Sequence, residues 1–265
     1  MKRFVLPLLL ALVAAATAIT MYRVALSHTP RTEEAASHRV KEAAVALSSA
    51  IDRDFSQRYI GVQQLTRDVA ARNKWNWNKP DGSGPLVAAI NRYVARSGDD
   101  LSMLVSPDGA VLAVNNENSN GDAIDTTSLY EQNFAEALWF TDAREGKFLA
   151  GANGFTGTAV TGPYNDKALG ALMGNDGLAL AFSTPMVDDA GALMGVWVNF
   201  LSFSHVERLM ADTYRTLSAD GLARTNLTLV DSKGVVLVDF DPSAQGGEYK
   251  RNYSVIGKLN MLDEI

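Results

Sequence analysis

A chain of 265 residues that is 47% apolar, 20% charged and 8% aromatic has the composition of a globular protein, with material for one large or two ordinary domains. Its net charge of −6, with no basic cluster beyond Lys2-Arg3, argues against a nucleic-acid-binding surface. The absence of cysteine excludes a disulfide scaffold, a cysteine-based zinc site and a thiol nucleophile.

The run from Phe4 to Tyr22 carries no charge and is closed by Arg23. Roughly 20 apolar residues in a helix span the hydrocarbon layer of a bilayer. The leading Lys2 and Arg3 favour a cytoplasmic start, so the expectation is a transmembrane anchor over residues 1–26 with residues 27–265 outside the cytoplasm. A cleaved signal peptide ending at Ala16-Thr17-Ala18 is the competing reading, and it places the rest of the chain on the same side. From Thr32 to about Arg72 there is no proline. Val40, Ala44, Leu47, Ile51, Phe55, Val62, Leu65 and Val69 fall mostly three or four apart. That spacing predicts one long amphipathic stalk helix within 27–73, which either dimerises or packs on its own domain.

Turn residues and two tryptophans fill Asn73 to Pro85, and Leu86 to Arg96 predicts a short helix. MLVSPDGAVLAV, residues 103–114, predicts a hairpin closed by Pro-Asp-Gly. Ser128 to Leu138 predicts a short helix ending in Trp139-Phe140. The glycine-rich stretch from Gly146 to Gly177 predicts mostly loop with short strands. A second hairpin is predicted from Ala179 to Phe200 around Asp188-Asp189-Ala190-Gly191, followed by a helix from His205 to Ser218.

TLVDSKGVVLVD, residues 228–239, repeats the first hairpin: aligning Gly109 with Gly234 matches Leu104 with Leu229 and Val111 with Val236. Two separate sheets are therefore expected, each begun by one copy of the pattern. Only roughly 40 residues follow the start of the second copy, short of what a sheet and its helices need, so a longer protein is expected.

Catalytic patterns are missing. His28, His38 and His205 have no metal-ligand spacing, and neither a Gly-x-Ser-x-Gly elbow nor a P-loop is present. Asp188 and Asp189 read as turn residues. No enzyme activity and no cofactor are expected of this region.

In order and spacing, the anchor and stalk resemble the extracytoplasmic double-Cache region of bacterial transmembrane receptors. LWFTDAREG (138–146), GPYNDK (162–167), STPMVDDAGALMGVWVNF (183–200) and LTLVDSKGVVLV (227–238) complete the likeness. Such receptors include chemotaxis proteins, sensor histidine kinases and diguanylate cyclases. The resemblance implies an α+β fold made of an N-terminal transmembrane helix, a long stalk helix and PAS-like modules, each an antiparallel sheet flanked by helices. It divides the chain into a membrane-distal module at 74–203, a linking helix at 204–221 and the start of a membrane-proximal module at 222–265. It also implies a place in the bacterial inner membrane, with a small molecule bound in the distal module.

In the amino-acid-binding branch of that family, an Arg two positions before a Trp grips the ligand carboxylate, and a Tyr-x-Asp segment and a later Asp hold its ammonium group. Trp139 and Phe140 match the aromatic pair, and Tyr164 and Asp166 match Tyr-x-Asp. Ala137 stands at the Arg position and Asn199 at the late Asp position. The resemblance therefore implies a pocket bordered by Trp139, Phe140, Tyr164, Asp166 and Asn199, suited to a cationic or weakly charged molecule rather than a zwitterion. The expected function is the sensing region of a transmembrane receptor, whose stalk either forms a homodimer or packs on its own domain. The alternative is an anchored or secreted α/β binding or scaffold protein without signalling output.

Overall fold

The computed structural model describes residues 30–150, 155–241 and 249–262. The expected anchor at 4–22 lies outside the described residues. Among those described, no helix is long and apolar enough to cross a membrane. The chain divides into two compact units, residues 56–204 and the described parts of 1–55 and 205–265. Helix α1 (Pro30–Leu65) gives its residues up to Phe55 to one unit and those from Ser56 to the other. The predicted stripe is buried at Val40, Leu47, Ile51, Phe55, Val62 and Leu65. Val69, its last expected member, is 83% exposed. The helix ends before it, and Asp68 caps a new turn, α2 (Val69–Arg72), by accepting the Ala70 N–H at 2.7 Å.

Residues 56–204 form a five-stranded antiparallel sheet in the order β2-β1-β5-β4-β3. Its strands are β1 (Leu101–Val105), β2 (Val111–Val114), β3 (Ala159–Asn165), β4 (Leu178–Val187) and β5 (Leu193–Ser202). Side chains opposite one another on paired antiparallel strands share a face. Leu101, Phe200 and Ala181 are opposite one another, as are Met103, Val198 and Ser183. These residues lie on one face, together with Ala179 and Ala159. Ser102, Asn199 and Phe182 lie on the other, with Leu104, Trp197 and Thr184.

Helix α3 (Pro85–Ser97) starts with Pro85 at its first position and ends at Gly98 in the left-handed conformation, an asymmetry that matches the unpaired groups at helix ends. It buries Leu86, Val87, Ile90 and Val94. Gly61, the one glycine in the α1 stripe, is there for contact: a Cβ at that position would sit 2.6 Å from the Tyr93 hydroxyl of α3.

Two connections differ from the sequence expectation. No helix runs over 128–138. A short 3-10 turn spans Thr127–Glu131, and α4 (Leu138–Arg144) begins only after Ala137, whose backbone is extended. The cause is long-range: the Phe134 N–H donates to the Gly109 carbonyl at 2.8 Å, holding this segment against the first hairpin turn. The glycine-rich stretch carries a full strand, β3, and a helix, α5 (Lys167–Met173), between β3 and β4.

The other unit holds the first part of α1, helix α6 (Ser204–Ala219) and the hairpin β6 (Leu227–Val230) and β7 (Val236–Phe240), which forms a separate two-stranded sheet. Helix α6 buries Val206, Met210 and Leu217, and Tyr214 packs edge-on against Phe240 with ring centroids 5.0 Å apart. The two copies of the sequence pattern thus start different sheets.

Candidate ligand site

The face of the five-stranded sheet that carries Val198 and Phe200 is covered by α4 and α5. Small side chains at Ala159, Ala179, Ala181 and Ser183 leave room above the strands, and α4 fills it with Trp139 and Phe140, 1% and 0% exposed. The Trp139 ring meets Phe200 edge-on at 5.8 Å and Phe140 at 5.9 Å, and Phe134 lies 5.7 Å away. Aromatic side chains favour such edge-to-face arrangements. Helix α4 is tied to the sheet where it begins, because the Ser183 hydroxyl donates to the Trp139 carbonyl at 2.7 Å.

Buried polar groups without a partner occur in and against this apolar cluster, Trp139 among them. The Trp139 indole N–H is buried and finds no hydrogen-bond partner among the described residues. Buried donors are nearly always paired, because an unmade bond costs about 1–3 kcal/mol. A buried, unpaired donor on an aromatic wall is what a ligand with an acceptor would complete.

Tyr164 packs against the same cluster from β3. Its hydroxyl donates to the Asp166 carboxylate at 3.4 Å. Burial above all, and then the Asp166 charge, pushes the Tyr164 hydroxyl far above the usual phenol range, so it stays protonated and acts as a donor. The other Asp166 oxygen accepts the Leu169 N–H at 2.9 Å, capping α5. Ala137, the residue before α4, is packed against the cluster with no cation in its place.

Four of the five expected residues are thus gathered on one face: Trp139 and Phe140 within the cluster, Tyr164 against it, and Asp166 bonded to Tyr164. Asn199 is not among them. It lies on the opposite face, where its carboxamide oxygen accepts from the Ser102 hydroxyl at 2.7 Å and its NH2 donates to the Tyr93 hydroxyl at 2.8 Å. The Trp197 indole N–H donates to the same Ser102 hydroxyl at 2.9 Å. Asn199 is fully buried and satisfied by neighbours, and unlike the other four expected residues it faces away from the aromatic cluster. Along β5 the neighbours that face the aromatic cluster are Val198 and Phe200, one residue to either side. A shift of one residue along a strand exchanges the faces.

Sequence reasoning missed Phe134, Leu169 and Ser183. The alternation of small residues at Ala179, Ala181 and Ser183 was a readable signal for the face they share. Beside the cluster, a cleft of about 140 Å3 opens between Asp81, Asn116, Asp125 and Tyr130. Hydrogen bonds from Ser83 to Asp81 and from Thr127 to Asp125 hold both carboxyls below their usual range. Among the described residues, no group of acidic or histidine side chains is arranged to hold a metal ion.

No family model matches the chain, and no curated protein matches it in sequence. Solved structures do match in fold. The ligand-binding domain of the Campylobacter jejuni chemoreceptor Tlp3, in complex with 4-methylisoleucine, aligns over 88% of this chain and 79% of its own at 14% identity, with a TM-score of 0.52. The sensory domain of the same receptor with isoleucine bound aligns over 83% of this chain and 76% of its own, at 16% identity and TM-score 0.52. Its complex with L-valine aligns over 84% and 77%, at 15% identity and TM-score 0.51. The chain therefore has the fold of a chemoreceptor sensory domain.

Proposed function

We propose that this chain is the extracytoplasmic sensing region of a transmembrane signalling receptor, with a small molecule bound by the 74–203 module. The observation that carries the reading is the unpaired Trp139 indole N–H, held inside an aromatic cluster above a stripe of alanines. The shared fold supports it, since the Tlp3 domains are described as ligand-binding. An uncharged run at 4–22 would tether the chain, residues 27–265 would lie outside the cytoplasm, and 222–265 would begin a membrane-proximal module. Val45 is 60% exposed on α1, which leaves an apolar position of the stalk for contact with a second copy.

Sensing of ordinary amino acids is disfavoured. Ala137 supplies no cation for a carboxylate, and the Asn199 side chain is spent on Ser102 and Tyr93. A bond to a charged group is worth about 1.5–3 kcal/mol, and no apolar side chain replaces it. The ligand is thus a cationic or weakly charged molecule with an acceptor for Trp139.

The test is a thermal-shift screen of the purified chain against amino acids, amines, purines and small amides at millimolar concentration. A compound that binds only the folded state raises the melting temperature. The expected hit stabilises the chain and loses its effect in Trp139→Phe, which keeps the aromatic wall and removes the donor. Stabilisation by L-amino acids that persists in Trp139→Phe would overturn the assignment, as would the absence of any stabilising compound.

A further inference from the structure

Both oxygens of Asp166 already face donors of the chain itself, the Leu169 N–H and the Tyr164 hydroxyl. Around this carboxylate the connection between β3 and β4 is pinned closed. The Asp166 N–H donates to the Gly177 carbonyl at 2.9 Å, and the Asn175 N–H donates to Gly170 at 3.0 Å. The Asn165 side chain donates to the Asp176 carbonyl at 3.1 Å. Gly177 has φ +71°, and a Cβ there would fall 1.9 Å from the Asp166 carbonyl oxygen, so the two ends of the connection touch. Gly174 closes α5 in the left-handed conformation.

What this pinned helix delivers is apolar. Leu169 is 2% exposed and belongs to the same buried cluster as Trp139, Phe140, Ala179 and Ala181, with Leu172 and Met173 packed beside it. Asp166 bonds directly to the backbone of that leucine. The two contacts together tie the start of α5 to β3, which is the work of a cap.

On the reading above, we infer that Asp166 is a positioning residue. It caps α5 and so holds Leu169 as one wall of the site, and the ligand presents an uncharged apolar end to Leu169 and one acceptor to Trp139. The ligand class narrows from cationic or weakly charged to neutral. The specificity-determining side chain is Leu169, in a segment that reads as loop in the sequence.

Capping and charge recognition separate cleanly by substitution, because Asn and Ser cap helices about as well as Asp but carry no charge. Without any ligand, Asp166→Asn and Asp166→Ser should melt close to the parent chain, and Asp166→Ala should melt about 2–4 °C lower. Equal losses in all three would overturn the cap assignment.

Ligand class is read by calorimetry with two probes of one carbon skeleton, 3-methylbutanamide and 3-methylbutylamine. The amide should bind the parent chain and Asp166→Asn with equal affinity, and weaken roughly tenfold in Leu169→Ala, whose lost methyl groups remove apolar contact. The amine should not bind. Binding of the amine that is lost in Asp166→Asn would restore the ammonium role and overturn the inference. Failure of both probes would overturn the neutral apolar class. The melting result needs no ligand and the screen above also covers amino acids and purines, so this inference and the sensing reading can fail separately.

Discussion

In the hairpin of β1 and β2 the Ser106 N–H donates to the Ala110 carbonyl at 2.8 Å and the Gly109 N–H to Ser106 at 3.0 Å. In that of β6 and β7 the Asp231 N–H reaches Val235 at 2.9 Å and the Gly234 N–H reaches Asp231 at 3.0 Å. Register slips at the same step in both, between Leu104 and Val105 and between Leu229 and Val230. The likeness goes on beyond the strands. Each turn glycine offers its carbonyl to a later N–H at 2.8 Å, Phe134 in one case and Met261 in the other. The preceding residue is Asn133 or Asn260, whose side chain accepts the N–H two residues on at 2.9 Å. The surroundings differ. Strand β1 is paired on both edges, by β2 and β5, whereas among the described residues β6 pairs only with β7. A single turn chemistry serves both places. The candidate site comes from what completes the first sheet, the strands β3 to β5 and the helices laid on them.

The largest expected effect contrasts the buried ion pair of each unit. Arg58 and Asp99, 3% and 0% exposed, pair within residues 56–204. Arg251 and Glu207, 15% and 8% exposed, pair in the other unit through two bonds of 2.6 and 3.0 Å. Arg58→Met strands a carboxylate with no access to water and should cost about 3–5 kcal/mol. Arg251→Met leaves its partner nearer to solvent and should cost about 1–3 kcal/mol. All four tryptophans lie within 56–204, so urea unfolding followed by tryptophan fluorescence reads that unit alone. Amide hydrogen exchange of β6 and β7 reads the other. Equal losses would mean that burial is not what separates the pairs.

The turn glycines sharpen the comparison. Both have positive φ, +92° at Gly109 and +83° at Gly234, so alanine is strained at either. A Cβ at Gly109 would lie 2.4 Å from the Ala135 backbone nitrogen. At Gly234 the nearest atoms are the side chains of Asn260 and Leu262, which can move. Gly109→Ala should therefore cost about 2–4 kcal/mol and Gly234→Ala about 1–2 kcal/mol. The same two experiments measure both, and a reversed order would show that the turns do not differ in their surroundings as described.

Much of this was legible in the sequence, for reasons that are local. The α1 stripe, the hairpin turns and the β4–β5 pair rest on periodicity and on turn residues a few positions apart. The aromatic pair at 139–140 was legible as well. What escaped was set by distant partners. The segment 128–138 reads as a helix in the sequence, but its backbone is claimed by the Gly109 turn. Helix α5 was hidden because Gly170, Gly174 and Gly177 look like loop punctuation, while Gly170 and Gly177 serve close backbone approach. Alternation along β5 shows that Asn199 shares a face with Trp197 and Leu201, but not which face holds the site. That needs the register with Ser102 and Phe182.

Asn199 gives the next prediction. Asn199→Ala would leave the Tyr93 hydroxyl without its donor and the Ser102 hydroxyl without its acceptor, at a cost of about 1–3 kcal/mol. Affinity for any ligand found in the screen should stay within about twofold, since the side chain faces away from the cluster. A large loss of affinity with unchanged stability would return Asn199 to the site.

The smallest effect concerns acid. Burial raises the Asp239 carboxyl above its ordinary value of 3.8, although the Thr228 hydroxyl donates to it at 3.2 Å. A folded-state pKa above the unfolded one means that the native chain binds this proton more tightly. Stability from this group is therefore fully present below pH 3.8 and is lost as pH rises through the folded pKa, leaving a constant penalty at neutral pH. Asparagine resembles the protonated form and still accepts from Thr228, so Asp239→Asn should be slightly more stable than the parent at pH 7. The gain should shrink to nothing as pH falls below 4, while the carboxylates held low near Asp81 and Asp125 destabilise the other unit in the same range. Because Asp239 is about half in contact with water, solvent screening keeps the gain well under roughly 1 kcal/mol. Hydrogen exchange of the β6 and β7 amides at pH 7, corrected for intrinsic rates and compared with urea midpoints near pH 3.5, would detect it. A variant that is less stable at pH 7, or whose gain does not vary with pH, would show that the Asp239 carboxylate is stabilised by the second hairpin rather than strained by it.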